Sequence, residues 1–161
     1  MIILGIETSC DETALSIIES VSGSDITVRA DKTLSQIELH KQYGGVFPNM
    51  AKRAHQENLV PLLKEVLEEA ARTDLRFKIK DVSKACVDDS PKSYNLQLKS
   101  LLEREPELLE QFLNFIPTIA KPHIDAIAVT CGPGLEPCLW TGINFAKALS
   151  LVWDIPVVPV N

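Results

Sequence analysis

At 161 residues the chain has room for one domain with a true core and little beyond it. Its 45% hydrophobic and 24% charged residues are those of an ordinary globular protein, and no apolar run approaches the length of a membrane span. A net charge of −6 and a pI near 5.1 exclude a protein that grips nucleic acid by bulk electrostatics, so any RNA contact requires a local basic patch or a basic partner.

The start lacks the basic region of a signal peptide. The four cysteines, Cys10, Cys86, Cys131 and Cys138, contain no C-x-x-C pair. Free thiols in a reducing cytoplasm are therefore expected, with no membrane association.

In chain order, the apolar run Ile2-Ile3-Leu4-Gly5-Ile6 predicts a buried strand. It breaks into Glu7-Thr8-Ser9-Cys10-Asp11-Glu12-Thr13 and returns as a second strand, Ala14 to Glu19. Such a turn presents Thr8, Ser9, Asp11 and Glu12 at one sheet edge. Hydroxyls and backbone N–H groups there can hold phosphate oxygens, and paired carboxylates can hold a hydrated metal ion or move a proton. An ordinary hairpin turn has the same composition.

Ser22-Gly23-Ser24-Asp25 predicts a turn. The alternation of Ile26, Val28 and Ala30 then predicts a third strand with one exposed face, completing an antiparallel meander.

A short helix is expected over 34–43, closed by Gly44-Gly45 in a left-handed cap. Pro48 suits the first turn of a second helix. Leu59, Leu62, Leu63, Val66, Leu67 and Ala70 carry that helix to about Arg72, with a kink or break at Pro61. Its apolar stripe covers the sheet or binds a partner helix.

Residues 73–122 read as a helical insertion. A polar stretch at Asp88-Asp89-Ser90-Pro91 is followed by helical patterns at Leu98, Leu101 and Leu102, and from Pro106 through Leu108, Leu109, Phe112, Leu113 and Ile116. Arg72, Arg76, Lys78, Lys80 and Lys84 form a local basic run, the pattern of a solvated surface as much as of an RNA contact.

Ile124 to Cys131 predicts a buried strand running into Gly132-Pro133-Gly134-Leu135, a helix from about Leu139 to Trp153, and a last strand over 155–160. This unit implies a right-handed crossover and a parallel pair. The glycines can admit an anion at the helix start, or merely join strand to helix. Three antiparallel strands, helices, a strand, a helix and a strand is the order of a ribonuclease-H-like lobe, the unit found twice in actin and sugar kinases.

Three segments narrow this further: Gly5-Ile6-Glu7-Thr8-Ser9-Cys10-Asp11-Glu12-Thr13; Gly44-Gly45-Val46-Phe47-Pro48 continuing to Arg53-Ala54-His55-Gln56-Glu57-Asn58; and Ile124 to Val129 leading to Gly132-Pro133-Gly134-Leu135. Together they resemble the tRNA threonylcarbamoyladenosine transferase family TsaD, formerly labelled O-sialoglycoprotein endopeptidase. The resemblance spans the chain except about 73–122, where the family is normally shorter.

It implies an α/β fold: one ribonuclease-H-like lobe of the actin-like ATPase (ASKHA) superfamily, with a mixed five-stranded sheet, flanking helices and a helical insertion. It also implies a cytoplasmic enzyme that moves a threonylcarbamoyl group from threonylcarbamoyl-adenylate to N6 of the adenosine beside the tRNA anticodon. Its expected associates are TsaB, through helices near 34–72, the ATPase TsaE, and a nucleotide ligand, threonylcarbamoyl-adenylate or ATP.

By the same resemblance, Glu7, Thr8 and Ser9 belong to the phosphate-side loop and Gly132 and Gly134 to the cleft floor. Asp11 and Glu12 are the expected catalytic or metal-water carboxylates. Lys52, Arg53 and His55 are candidates for cleft or tRNA contact.

The family's metal, iron or zinc, takes two histidines from an H-x-x-x-H segment. That segment follows directly after the strand matching Val157 to Asn161, where this sequence stops. No metal ligand is therefore expected within the chain: His40 is placed on the exposed short helix and His123 in a loop. The chain is expected to be the N-terminal lobe of a longer transferase, inactive alone. A non-catalytic interaction module pairing with TsaB or with itself is the rival reading. A small-molecule kinase is weaker, and the protease label has no support, since neither a histidine pair nor a nucleophile triad is present.

Overall fold

The computed structural model describes residues 1–22, 25–77 and 94–161. The Gly23-Ser24 turn, Lys78, Lys80, Lys84, Cys86 and the Asp88–Pro91 stretch lie outside them. Five strands, β1 (Ile2–Glu7), β2 (Glu12–Ser22), β3 (Asp25–Ser35), β4 (Ala126–Thr130) and β5 (Val157–Val160), form one sheet in the order β3-β2-β1-β4-β5. The first three are antiparallel, while β4 pairs parallel with both β1 and β5. The expected mixed sheet is present, with β1 at its centre.

Each strand alternates its faces. Ile2, Leu4, Ile6, Leu15, Ile17, Ile127 and Val129 point to one side and are buried. Helices α2 (Pro48–Thr73) and α5 (Glu136–Trp153) cover that side and pack on each other. The opposite side is open at both edges, where Ile26, Val28, Val158 and Val160 are exposed.

The expected buried stripe on β3 is corrected by a bulge. Ile17 faces Ala30 but Ile18 faces Val28, which makes Arg29 the extra residue. The slip turns Ile26 and Val28 onto the open side, so Val28 is 61% exposed and Ala30 alone of the three is buried. Arg29 and Arg76 both donate to the nearly buried carboxylate of Glu19, tying the far end of the hairpin to the chain beyond α2.

Helix α1 is shorter than expected, Ile37–Lys41, because β3 runs on to Ser35. Gly44, at φ 70°, supplies the left-handed stop. His40 is not on an exposed face: it is 3% exposed and bonded at both ring nitrogens.

Helix α2 passes Pro61 without a break. Leu59, Val60, Leu62 and Leu63 are all buried around it, while Pro61 and Glu57 face water, where the carbonyl left without an N–H partner can be hydrated. Its apolar stripe is consumed by the core.

In the described part of the expected insertion, α3 (Asn95–Leu101) and α4 (Pro106–Phe115) bury Leu98, Leu102, Leu108 and Phe112 in the same core as the sheet. Phe112 meets Phe145 of α5 edge-on at 6.0 Å. Pro106 opens α4, as its missing N–H favours. No described helix is long and apolar enough to cross a membrane.

Because Pro61 removes a helical hydrogen bond at an exposed position, Pro61→Ala restores one without disturbing packing. The variant is expected to be more stable by about 1–3 kcal/mol, measured by urea denaturation.

Candidate active site at the β1–β2 loop

The turn from β1 to β2 is held on every side by hydrogen bonds its sequence does not reveal. The Thr8 hydroxyl is buried and donates to the Cys138 carbonyl at 2.9 Å, on the first turn of α5. The Ser9 N–H donates to the Glu7 carboxylate at 2.6 Å. The Ser9 carbonyl accepts from Leu135 N–H at 2.7 Å, that of Cys10 from the His55 ring at 3.1 Å, and that of Asp11 from Gln36 N–H at 2.8 Å.

Two glycines make this approach possible. A Cβ at Gly134 would stand 2.6 Å from the Ser9 carbonyl oxygen, and one at Gly142 would stand 2.3 Å from the Thr8 hydroxyl. Any side chain at either position forces the loop away from α5.

The structure therefore sorts the expected site residues. Asp11 is half-buried beside the Cys10 thiol and Glu12 is exposed. Their carboxylates form no ion pair among the described residues, and both stand at the same edge. Thr8 and Ser9 shape the loop: the hydroxyl of one and the N–H of the other are engaged within it. Gly134 packs on Ser9, and Gly132 stands beside Asn161 at the end of β5.

His55 is fully buried, without an exposed face to offer a ligand among the described residues. It supports the loop from behind, accepting from the Thr13 hydroxyl at Nδ1 (2.8 Å) while its Nε2 donates to Cys10. Lys52 donates to the buried Glu105 carboxylate and to the Arg104 carbonyl. Arg53 pairs with Glu57 and Glu107. Neither cation is unpaired.

Gln36, Thr13 and Gly142 carry geometry that sequence reading did not assign. Thr13 lies inside the quoted motif, and a glycine within an apolar helix is itself a signal of close approach. Gln36 gives no sequence signal at all.

Burial is the main cause that raises the thiol of Cys10, with the neighbouring Asp11 adding to it, and burial pushes Cys138 up to about 11. Neither thiol is poised as a nucleophile; Cys131 is also free. Burial likewise lowers the His55 ring below the ordinary 6.5, outweighing the carboxylates of Glu7 and Asp11.

Among the described residues no three His, Cys, Asp or Glu side chains gather to hold a metal ion. Both ring nitrogens of His40 and His55 are engaged. These described residues do not offer the donor set of an iron or zinc centre.

A sheet in the order 3-2-1-4-5, two helices on one face and an acidic first turn set against the start of α5 define one lobe of the ribonuclease-H-like, actin-like ATPase class. The family model of TsaD, tRNA N6-adenosine threonylcarbamoyltransferase, matches residues 27–91 and 98–161. The chain belongs to this family.

Relatives described as tRNA N6-adenosine threonylcarbamoyltransferase from Thermomicrobium roseum and Fusobacterium nucleatum are 36% and 35% identical to it over all 161 residues. The chain spans 30% and 32% of their lengths. Among solved structures, YeaZ from Pseudomonas aeruginosa covers all of the chain with 45% of its own length, at 14% identity and a TM-score of 0.49.

The histidine environment sets an acid limit. A ring held below 6.5 in the folded state is protonated more readily in the unfolded chain, so stability falls as pH drops through 6.5 and levels off below the folded value. A second loss follows in stronger acid. Arg76 holds the Asp74 carboxyl down at about 2, and its stabilisation is lost between the ordinary 3.8 and that value. Urea denaturation across this pH range is expected to show both phases, and His55→Gln is expected to remove only the first.

Proposed function

We propose that the chain is the N-terminal lobe of a cytoplasmic threonylcarbamoyltransferase acting on tRNA, with Asp11 and Glu12 as its working carboxylates. The observation that carries this reading is the carboxylate pair itself. It makes no ion pair among the described residues and stands where the inner strands β1 and β2 meet, on a loop anchored by both major helices. Rigid anchoring of two acids that have no cation partner suits proton transfer.

In the proposed reaction the N6 amine of adenosine attacks the carbamoyl carbon of threonylcarbamoyl-adenylate. The new N–C bond forms, the C–O bond to the adenylate phosphate breaks, and AMP leaves. The N6 proton passes to a carboxylate of the pair. The second lobe and the metal-holding histidines that the family resemblance implies lie outside this chain, so the lobe alone is inactive. TsaE and a nucleotide ligand belong to the complete assembly.

Glu12→Ala in the complete protein is expected to lower tRNA modification by about 10²–10⁴-fold. In this chain it should leave unfolding within about 0.5 kcal/mol of the parent, because Glu12 is exposed. Modification near the parent rate would remove Glu12 from the mechanism.

A second reading, an interaction module, is favoured by one observation. Leu34, Ile37, Tyr43 and Phe47 are 42–55% exposed around α1 and the turn into α2, with the two aromatic rings 6.3 Å apart. Since α2 spends its own stripe on the core, this patch is a surface that could receive TsaB or a second copy. Sedimentation at high concentration is expected to show a dimer or a complex with TsaB, lost in Phe47→Asp. A monomer that ignores TsaB would end this reading.

A further inference from the structure

Behind the carboxylate loop runs a line of buried polar side chains that the proposed chemistry does not use. Gln36 is 4%, His40 3% and His55 0% exposed. At one end the Phe47 N–H points to His40 Nδ1 at 3.4 Å, and His40 Nε2 lies 3.0 Å from Gln36 Oε1. The Gln36 amide nitrogen then lies 3.3 Å from His55 Nδ1 and 3.5 Å from the Ala51 carbonyl. At the other end His55 Nε2 meets the Cys10 carbonyl.

The two ends fix the direction of every bond between them. A backbone N–H only donates, so His40 Nδ1 accepts and its Nε2 carries the proton. A backbone carbonyl only accepts, so the proton of His55 is also on Nε2. His55 Nδ1 is then free to accept from both Gln36 and Thr13. A second proton on His55 would set two N–H donors, its own and that of Gln36, against each other.

We infer that His55 is the positioning residue of the carboxylate loop: as the neutral Nε2–H tautomer, backed by Gln36 and His40, it fixes where Asp11 and Glu12 stand, and its protonation releases them. Gln36 adds a second grip, since its own backbone N–H holds the Asp11 carbonyl. The titratable groups facing the ring are Glu7 and Asp11 from the strand and loop in front, and the neutral His40 from α1. Lys52, on the same helix as His55, is turned to Glu105.

The consequence for catalysis rests on the reading of Asp11 and Glu12 as working carboxylates; the positioning does not. In the complete protein the rate would fall with acid as the loop is released, without any change at the carboxylates themselves.

Nitrogen-15 spectra of this chain, followed from neutral to mildly acidic pH, test the inference. Both rings are expected as Nε2–H tautomers. The amides of Ser9 to Thr13 are expected to shift with the same midpoint as His55 protonation, while core amides such as Leu63 and Phe145 stay fixed. His55→Gln places an amide N–H where Nε2–H was, and is expected to keep the loop amides at their neutral positions throughout. His55→Leu is expected to displace them at every pH.

Loop amides indifferent to His55 protonation would overturn the inference. So would core amides moving with the same midpoint, which would make the ring a support of the whole domain. A loop that follows His55 while Glu12→Ala retains activity would leave the positioning standing and remove only the catalytic reading.

Discussion

A methyl group at Gly142 would stand 2.3 Å from the Thr8 hydroxyl, and one at Gly134 would stand 2.6 Å from the Ser9 carbonyl. These two contacts let α5 press directly on the end of the central strand, and the remaining geometry of the edge follows from them. Thr8 is pulled inward to the Cys138 carbonyl, so its hydroxyl is lost to ligands. Ser9 turns its carbonyl to Leu135, and beyond Cys10 the chain carries Asp11, half-buried beside the Cys10 thiol, and the exposed Glu12. His55 closes the loop from the opposite side. The edge is thus clamped between the first turn of one helix and the second turn of another, and both helices are themselves fixed by the shared core.

The charge of this edge limits what it can bind unaided. Glu7, Asp11 and Glu12 lie within six residues of one another, and the chain as a whole carries −6. The cations that sequence reading proposed as phosphate partners are engaged: Lys52 by a buried glutamate, Arg53 by two surface ones. A phosphate approaching the described loop meets the charge of these three acids.

Much of the fold was legible because its determinants are local. The apolar runs of β1 and β4, the spacing of α5, Pro106 at the start of α4 and Gly44 at the end of α1 each act within a few residues. The misread places depend on distant partners. Ile26 and Val28 alternate correctly, yet a bulge at Arg29 turns them outward, and that bulge answers to Glu19 and Arg76 on other elements. Pro61 is tolerated because buried residues on both sides hold the helix through it. His40 looks like a surface residue of a polar helix until Phe47 and Gln36 close around it. The candidate carboxylates were legible as a pair; the means of holding them was not, because it consists of backbone carbonyls and side chains up to 130 positions apart.

That division has a physical basis. A free carboxylate at a sheet edge costs little, so its presence is written in composition alone. Its orientation requires buried polar groups, and each of these has to find a partner or cost the domain on the order of 1–3 kcal/mol. Among the described residues every buried side-chain nitrogen and oxygen has one. The His40–Gln36–His55 line meets that condition only with both imidazoles neutral and every donor pointing the same way. An arrangement satisfied in one protonation state alone is a constraint on pH as well as on shape, and it lies directly behind the two acids on which the proposed chemistry rests.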